Sequence, residues 1–276
     1  EPDRTTAEAE ALGITTKLAG FTTTWEGTKD RQTNVRITTQ YASNVILAPG
    51  EVYDFDKQIG PRTEARGYVT APGIIAGELE DQLGGGICQV STTLFNAALF
   101  AGLEIVERKN HSLYIDHYPK GRDATVSAGG PNMRFRNDTD HYILVRGASD
   151  GVTTTFVIYG TPTGRKVELE TSDFYDIKPM EKVEYEKSSL RPGKTEIKTA
   201  GQEGKSIKVV RTVTSKSGEV LRKDSFVSIW KMIPRETYVA PKEKPTTTTS
   251  KPESTTTTGA PTTTAPPVTV ADPTAE

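Results

Sequence analysis

Cys88 is the single cysteine of the 276-residue chain and stands in Gly84-Gly85-Gly86-Ile87-Cys88-Gln89-Val90-Ser91-Thr92, where a glycine run meets an apolar-periodic segment. The thiolate is the reactive form of cysteine, and the partial positive charge of a helix N-terminus lowers a thiol pKa toward neutrality. Gly84, Gly85 and Gly86 remove side chains beside the sulfur. Their backbone would let a substrate come close and would leave main-chain N–H groups free for an oxyanion hole. With Gln89 and Ser91 they form the expected substrate-binding set. The alternative is a small buried core cysteine, since free Cys ranks among the most buried residue types. Export would weigh against that, because an unpaired thiol outside the cell is open to oxidation.

A cysteine nucleophile needs a base, and the chain holds three histidines: His111, His117 and His141. His111, in Lys109-Asn110-His111-Ser112, follows the strand expected after the Cys88 helix and is the best placed for a return to the sulfur. His117 and His141 read as surface residues. A base is oriented by a third group, and Asp123 in Gly121-Arg122-Asp123-Ala124 serves that reading, as would a backbone carbonyl. Arg122, or the neighbourhood of Arg62 and Arg66, is a candidate to hold a substrate carboxylate; a solvated surface ion pair is the competing reading.

The elements that would position these groups follow from periodicity. Ile87, Val90, Leu94, Ala97, Ala98 and Ala101 recur at helical spacing, and Gly102 fits the C′ position of a helix end. Val45 to Phe55, interrupted by Ala48-Pro49-Gly50, reads as a hairpin. Leu103 to Val106, Ala124 to Ser127, Met133 to Phe135, Tyr142 to Val145 and Thr154 to Tyr159 read as strands. The expected fold class is α+β: antiparallel strands packed on one main helix with Cys88 at its N-terminus. Val183 to Tyr238 alternates apolar and polar residues between turns at Pro192-Gly193, Gly201 to Gly204 and Ser217-Gly218, as a small all-β module does. From about Pro241 the chain is Thr, Pro and scattered charge, a composition that cannot repay its ordering entropy, so a disordered stalk is expected. The expected units are 1–21, an N-terminal remnant or linker; 22–165, the catalytic domain; 166–240, the β module; and 241–276, the tail.

Lys and Arg total 34 against 36 Asp and Glu, which leaves no excess positive charge for a phosphate backbone and excludes nucleic acid as the expected partner. One thiol makes no internal disulfide. The glycine run lacks the following Lys-Ser or Lys-Thr of a phosphate loop, no G-x-S-x-G elbow occurs, and paired zinc-ligand spacing is absent. No cofactor and no metal are expected. No apolar run is long enough to cross a bilayer. The chain begins at Glu1 rather than Met, so membrane anchoring is expected only through a segment outside it.

Gly84-Gly85-Gly86-Ile87-Cys88-Gln89-Val90-Ser91-Thr92-Thr93-Leu94, with Ala48-Pro49-Gly50-Glu51 and Ile59-Gly60-Pro61-Arg62 before it and His111-Ser112, Gly121-Arg122-Asp123-Ala124-Thr125-Val126 and Phe135-Arg136-Asn137 after it, resembles the VanW domain family of bacterial envelope proteins over about 13–160. The resemblance implies L,D-transpeptidase chemistry on peptidoglycan. Cys88 would then be acylated by position three of a stem peptide with loss of the terminal D-Ala, and a neighbouring side-chain amine would resolve the thioester into a three-to-three cross-link. Cys88 and His111 carry over from the family pattern, whereas His117 stands where a non-histidine is expected. The loosely spaced Gly201 and Gly204, the Val-rich strand and Ile233-Pro234 resemble the G-five domain, which implies binding to aminosugar-containing polymers. The expected partners are therefore peptidoglycan stem peptides and glycan, at the extracellular face of the cell envelope. Two other functions compete: a non-catalytic peptidoglycan-binding module, and a cysteine peptidase or amidase acting on the same stems.

Overall fold

The computed structural model describes residues 5–75 and 78–241. In chain order the elements are α1 (Thr6–Ala11), β1 (Thr16–Thr24), α2 (Lys29–Ala42), β2 (Val45–Leu47), β3 (Val52–Asp54), α3 (Phe55–Ile59), β4 (Thr70–Ile75), β5 (Glu78–Leu83), α4 (Ile87–Phe100) and β6 (Glu104–Glu107). They continue as β7 (Arg134–Arg136), β8 (Ile143–Ser149), β9 (Thr153–Gly160), β10 (Lys166–Thr171), β11 (Tyr175–Lys178), β12 (Lys182–Glu186), β13 (Thr195–Thr199), β14 (Gly204–Thr214), β15 (Val220–Trp230) and β16 (Arg235–Val239). The class is α+β, mostly strands in several antiparallel sheets with few helices.

A four-stranded sheet in the order β1-β9-β8-β2 carries α4 on one face. Strand β9 alternates strictly, burying Thr154, Phe156 and Ile158 on the helix side, as a half-buried strand must. Helix α4 is buried almost all round, with Val90, Leu94, Phe95, Ala97, Ala98 and Leu99 fully inaccessible. Removing water from one such Leu or Phe contributes about 1.5–3 kcal/mol. The helix ends in a Schellman turn: Gly102 sits at φ 70°, its N–H donates to the Leu99 carbonyl, and the Leu103 N–H donates to the Ala98 carbonyl, which satisfies carbonyls the helix would otherwise orphan.

Four sequence expectations need correction. The hairpin expected over Val45 to Phe55 does not form, because β2 pairs with β8 and β3 with β7, in different sheets. Helix α2 is a second 14-residue helix that hydrophobic periodicity missed, because its buried face is built from Asn34, Val35, Thr38, Thr39 and Ala42, helically spaced but mostly polar. Residues Ala124 to Ser127 join no sheet; the Ala124 backbone bonds the α4 side chains of Ser91 and Thr92, and the N–H groups of Thr125 and Ser127 bond the carbonyls of Lys109 and Pro131. A boundary after residue 21 falls within β1, which runs in register against β9 from Thr16↔Gly160 to Thr24↔Thr153. The expected tail lies outside the described residues apart from Pro241.

The C-terminal strands form a sheet in the order β10-β14-β11 with β15 paired to β14, and a second sheet in the order β12-β16-β13. The β12–β16 pair is parallel. Hairpin β14–β15 packs on the first domain. Fully buried Arg211 of β14 donates to the Leu99 carbonyl at 3.0 Å and pairs with Asp224, while Phe226 meets Phe95 edge to face at 5.9 Å. No described helix is long and apolar enough to cross a membrane.

Candidate active site

Cys88 is the second residue of α4, one past the N-terminal Ile87, and its side chain is half-buried. The glycine run that leads into it is shaped by packing. A side chain at Gly85 would meet the Ala71 carbonyl oxygen at 2.2 Å, and Gly84 and Gly86 sit at φ 83° and 107°, where an L side chain is strained. Asn34 of α2 ties this turn down, donating to the carbonyls of Gly85 at 3.0 Å and Val69 at 2.9 Å. The glycines therefore let the β4–β5 hairpin close on the helix start. That corrects the view that they clear space for substrate. The N–H groups of Gly84, Gly85, Ile87 and Gln89 have backbone acceptors, whereas those of Gly86 and Cys88 have none among the described residues, as is usual in a first helical turn.

Opposite the sulfur, the buried His111 ring donates through Nδ1 to Asp123 Oδ2 at 2.6 Å. The other ring nitrogen is left for Cys88, and the ring stands near enough to the sulfur for the two groups to shift each other's ionisation. Asp123 accepts two further bonds, from the His111 backbone N–H at 2.7 Å and from Arg108 Nη2 at 2.9 Å. Thr125 Oγ1 and the Val126 carbonyl lie 3.7 and 3.6 Å from the sulfur.

The electrostatics follow from these contacts. Burial pushes the thiol up, but the adjacent, positively charged ring of His111, with help from Val126 and Thr125, outweighs it and brings Cys88 down to about 7. Burial pushes the imidazole down, yet Asp123 and the thiolate raise it to about 9. Between those values the stable form is a thiolate–imidazolium pair. Asp123 is held below the usual carboxylate range: burial opposes ionisation, and the imidazolium and Arg108 overcome it.

What brings these residues together is the polar side of α4. Ser91 donates to the Ala124 carbonyl at 2.7 Å, Thr92 accepts from the Ala124 N–H at 3.0 Å, and Asn96 donates to the Arg122 carbonyl at 2.8 Å. Three buried polar side chains replace a strand ladder and lay 122–126 along the helix, so that Asp123, Thr125 and Val126 arrive beside the first turn. Ser91 is fully buried and its hydroxyl is taken up by this role. Gln89 is fully buried, bridging Arg31 at 2.9 Å and the Val152 carbonyl at 3.1 Å. Arg122 lies along α4 at Asn96, eight residues beyond Cys88, its guanidinium over Phe21 and Phe100 at 5.6 and 5.2 Å; at about 1.5 Å per residue that is two turns from the sulfur. Arg62 pairs with Asp56, and Arg66 donates to the carbonyls of Ile59 and Pro61. None of these three arginines reaches Cys88.

Sequence reasoning missed four neighbours. Arg108 braces Asp123. Tyr118, buried, centres its ring 6.0 Å from His111. Arg31 abuts the turn before Cys88, and Trp25 stacks on His117 at 4.1 Å with planes 17° apart. Only Arg108, three residues before His111, had a local signal; the others come from distant segments whose approach no short-range pattern encodes. The His141 carbonyl accepts from the Asn137 side-chain amide and the Thr139 hydroxyl in a turn. Among the described residues no group of three His, Cys, Asp or Glu side chains is placed to hold a metal ion. A cleft of about 170 Å³ lined by Thr16, Phe100, Pro162 and Arg165 lies at the opposite end of α4 from the sulfur.

Residues 30–159 match the family model described as VanW like protein. The chain is 43% identical over 133 residues to the uncharacterized protein YoaR of Bacillus subtilis (strain 168), covering 48% of this chain and 44% of that protein. It is 30% identical over 114 residues to the vancomycin B-type resistance protein VanW of Enterococcus faecalis (strain ATCC 700802 / V583), covering 39% and 41%. The chain thus spans less than half the length of these curated relatives. Among solved structures it is similar to HP0197-G5, at 17% identity over 28% of this chain and 97% of that one with a TM-score of 0.16. It is similar also to the IgA1 protease G5 domain, at 17% identity over 29% and 94% with a TM-score of 0.19.

Proposed function

From the VanW-like domain at 30–159 we propose that this chain is a cysteine acyl-transferase of the bacterial cell envelope, an L,D-transpeptidase that cross-links peptidoglycan stem peptides. The observation that carries the reading is a half-buried thiol at a helix start, beside a buried imidazole that a buried carboxylate orients. The Cys88 thiolate attacks the carbonyl carbon of the donor's third residue. Negative charge builds on that oxygen next to the first turn of α4, where the N–H groups of Cys88 and Gly86 have no other acceptor among the described residues and the helix dipole favours an anion. The C–N bond breaks, His111 delivers its proton to the departing amine of D-Ala, and a thioester remains. An acceptor amine then attacks the thioester carbon, gives its proton to His111, and the sulfur leaves as thiolate. Attack by water at that stage would make the same site a peptidase.

The G-five likeness of the C-terminal module and the VanW likeness support placing this chemistry at the wall, on the outer face of the envelope. Intact-mass measurement after incubation with a disaccharide-tetrapeptide tests the proposal. The expected result is an adduct equal to the donor less its terminal D-Ala, absent in Cys88→Ala. An unmodified protein at every donor concentration refutes the enzymatic reading and leaves a binding module. Linked dimers among the muropeptides assign transfer; trimmed monomers alone assign hydrolysis.

A further inference from the structure

The residues expected to hold a substrate carboxylate are all engaged elsewhere, but one arginine stands against the thiol turn with its charge unmatched. Arg31, in the first turn of α2, packs on the residues that bracket Cys88. Its Cγ lies 2.8 Å from where a side chain at Gly86 would begin, and its Nη1 donates to the Gln89 side-chain oxygen at 2.9 Å. That bond uses one of the five N–H groups of a guanidinium. Gln89 is neutral and is itself pinned by the Val152 carbonyl, so it fixes the arginine without discharging it. The groups that bear electrostatically on Arg31 are the Cys88 thiolate and Tyr118, a phenol that burial keeps neutral, with no carboxylate among them. Burial without a carboxylate partner is costly for a cation. A half-buried guanidinium so held is prepared for an anion that arrives with the substrate.

Beside it stands a flat wall. Trp25, 39% exposed, has its ring 5.9 Å from the Arg31 guanidinium carbon and stacks on exposed His117. Burial and the Arg31 charge lower the His117 pKa, which leaves Arg31 as the fixed cation of this corner. Nothing in the acyl-transfer steps uses Arg31, Trp25 or His117.

We propose that Arg31 is the seat of a substrate carboxylate, so that the preferred acyl donor is a peptide ending in a free carboxylate one residue beyond the bond Cys88 attacks, its last residue lying against the Trp25–His117 wall. The spacing suits that assignment, since the arginine contacts Gly86 and Gln89, two residues before and one after the nucleophile, and one residue spans only about 3.8 Å. The inference deepens the acyl-transfer reading and rests on it for the peptide, but the carboxylate seat has a readout of its own.

Iodoacetate and iodoacetamide alkylate the same thiolate and differ in one carboxylate. Their rates on Cys88, taken at about pH 8 where the thiolate is populated, should give an iodoacetate-to-iodoacetamide ratio that falls about tenfold in Arg31→Gln and most of that way in Arg31→Lys, because an ammonium keeps the charge but not the forked geometry. Circular dichroism on both variants checks that α2 is intact. A ratio unchanged in Arg31→Gln overturns the seat. A ratio kept in Arg31→Lys reduces it to through-space attraction and also overturns it. In the peptide arm, acylation by a free-carboxylate donor should exceed that by the matching carboxamide in the unaltered protein and equal it in Arg31→Gln. If no donor acylates Cys88 while the alkylation ratio still depends on Arg31, the transferase reading fails and the carboxylate seat stands.

Discussion

At the scale of single residues the thiol and imidazole have exchanged their usual order of titration, with Cys88 near 7 and His111 near 9. A thiol depressed in the folded state is ionised above that value and protonated below it. The iodoacetamide rate of Cys88 should therefore rise through a midpoint at about pH 7 and fall away on acidification. His111→Gln removes the positive partner, leaves burial unopposed and should carry the midpoint to about 8.5 or higher, the range of an ordinary thiol; the alkylation profile of each protein checks it. A midpoint unmoved in His111→Gln would mean that the helix start alone ionises the sulfur. Cys88, His111 and Asp123 were readable because each sits in a local pattern: a helix start, a strand exit, a glycine turn. Arg31 was not, since only the closure of α2 over the Gly84–Gly86 turn brings it near.

At the scale of elements, α4 has two jobs on one cylinder. Its apolar side anchors the sheet, and Ser91, Thr92 and Asn96 hold 122–126 where a neighbouring strand would otherwise be needed. The sequence showed the apolar repeat and hid the second function, because Ser, Thr and Asn within a helix carry no periodic hydrophobic signal. The same blindness concealed α2, whose buried face is largely Asn and Thr, and made the well-bonded stretch Ala124 to Ser127 look like a strand. Asn96→Ala should cost about 1–3 kcal/mol, since it leaves the buried Arg122 carbonyl without its donor, as read from denaturant unfolding. It should also loosen Asp123 and raise the Cys88 midpoint. A stability loss with an unshifted midpoint would show that Asn96 supports the core but does not position the site.

At the scale of the whole molecule, the C-terminal hairpin reaches into the first domain at both ends of the site's scaffold. Arg211 inserts beneath the last turn of α4, and Ser228 Oγ lies 3.0 Å from Arg108 Nη2, the same nitrogen that bonds Asp123. Arg211→Ala leaves Asp224 without its buried partner and should destabilise the chain by about 3–5 kcal/mol, with both halves still melting in a single transition; two separated transitions would show that the halves fold independently. Ser228→Val tests the other end, and the expectation is a raised thiol midpoint with little change in stability. That strands lie after Gly204 was legible from alternation, but their docking on the first domain was not, for it depends on a buried arginine and a few long-range polar contacts. The docking also sets a timetable. A ribosome delivers residues in order, so the sulfur emerges long before the strand bearing Ser228 exists, and during that interval it lacks the outer brace on its triad. The Arg108 guanidinium behind Asp123 thus gains its second anchor only once β15 has closed on the first domain.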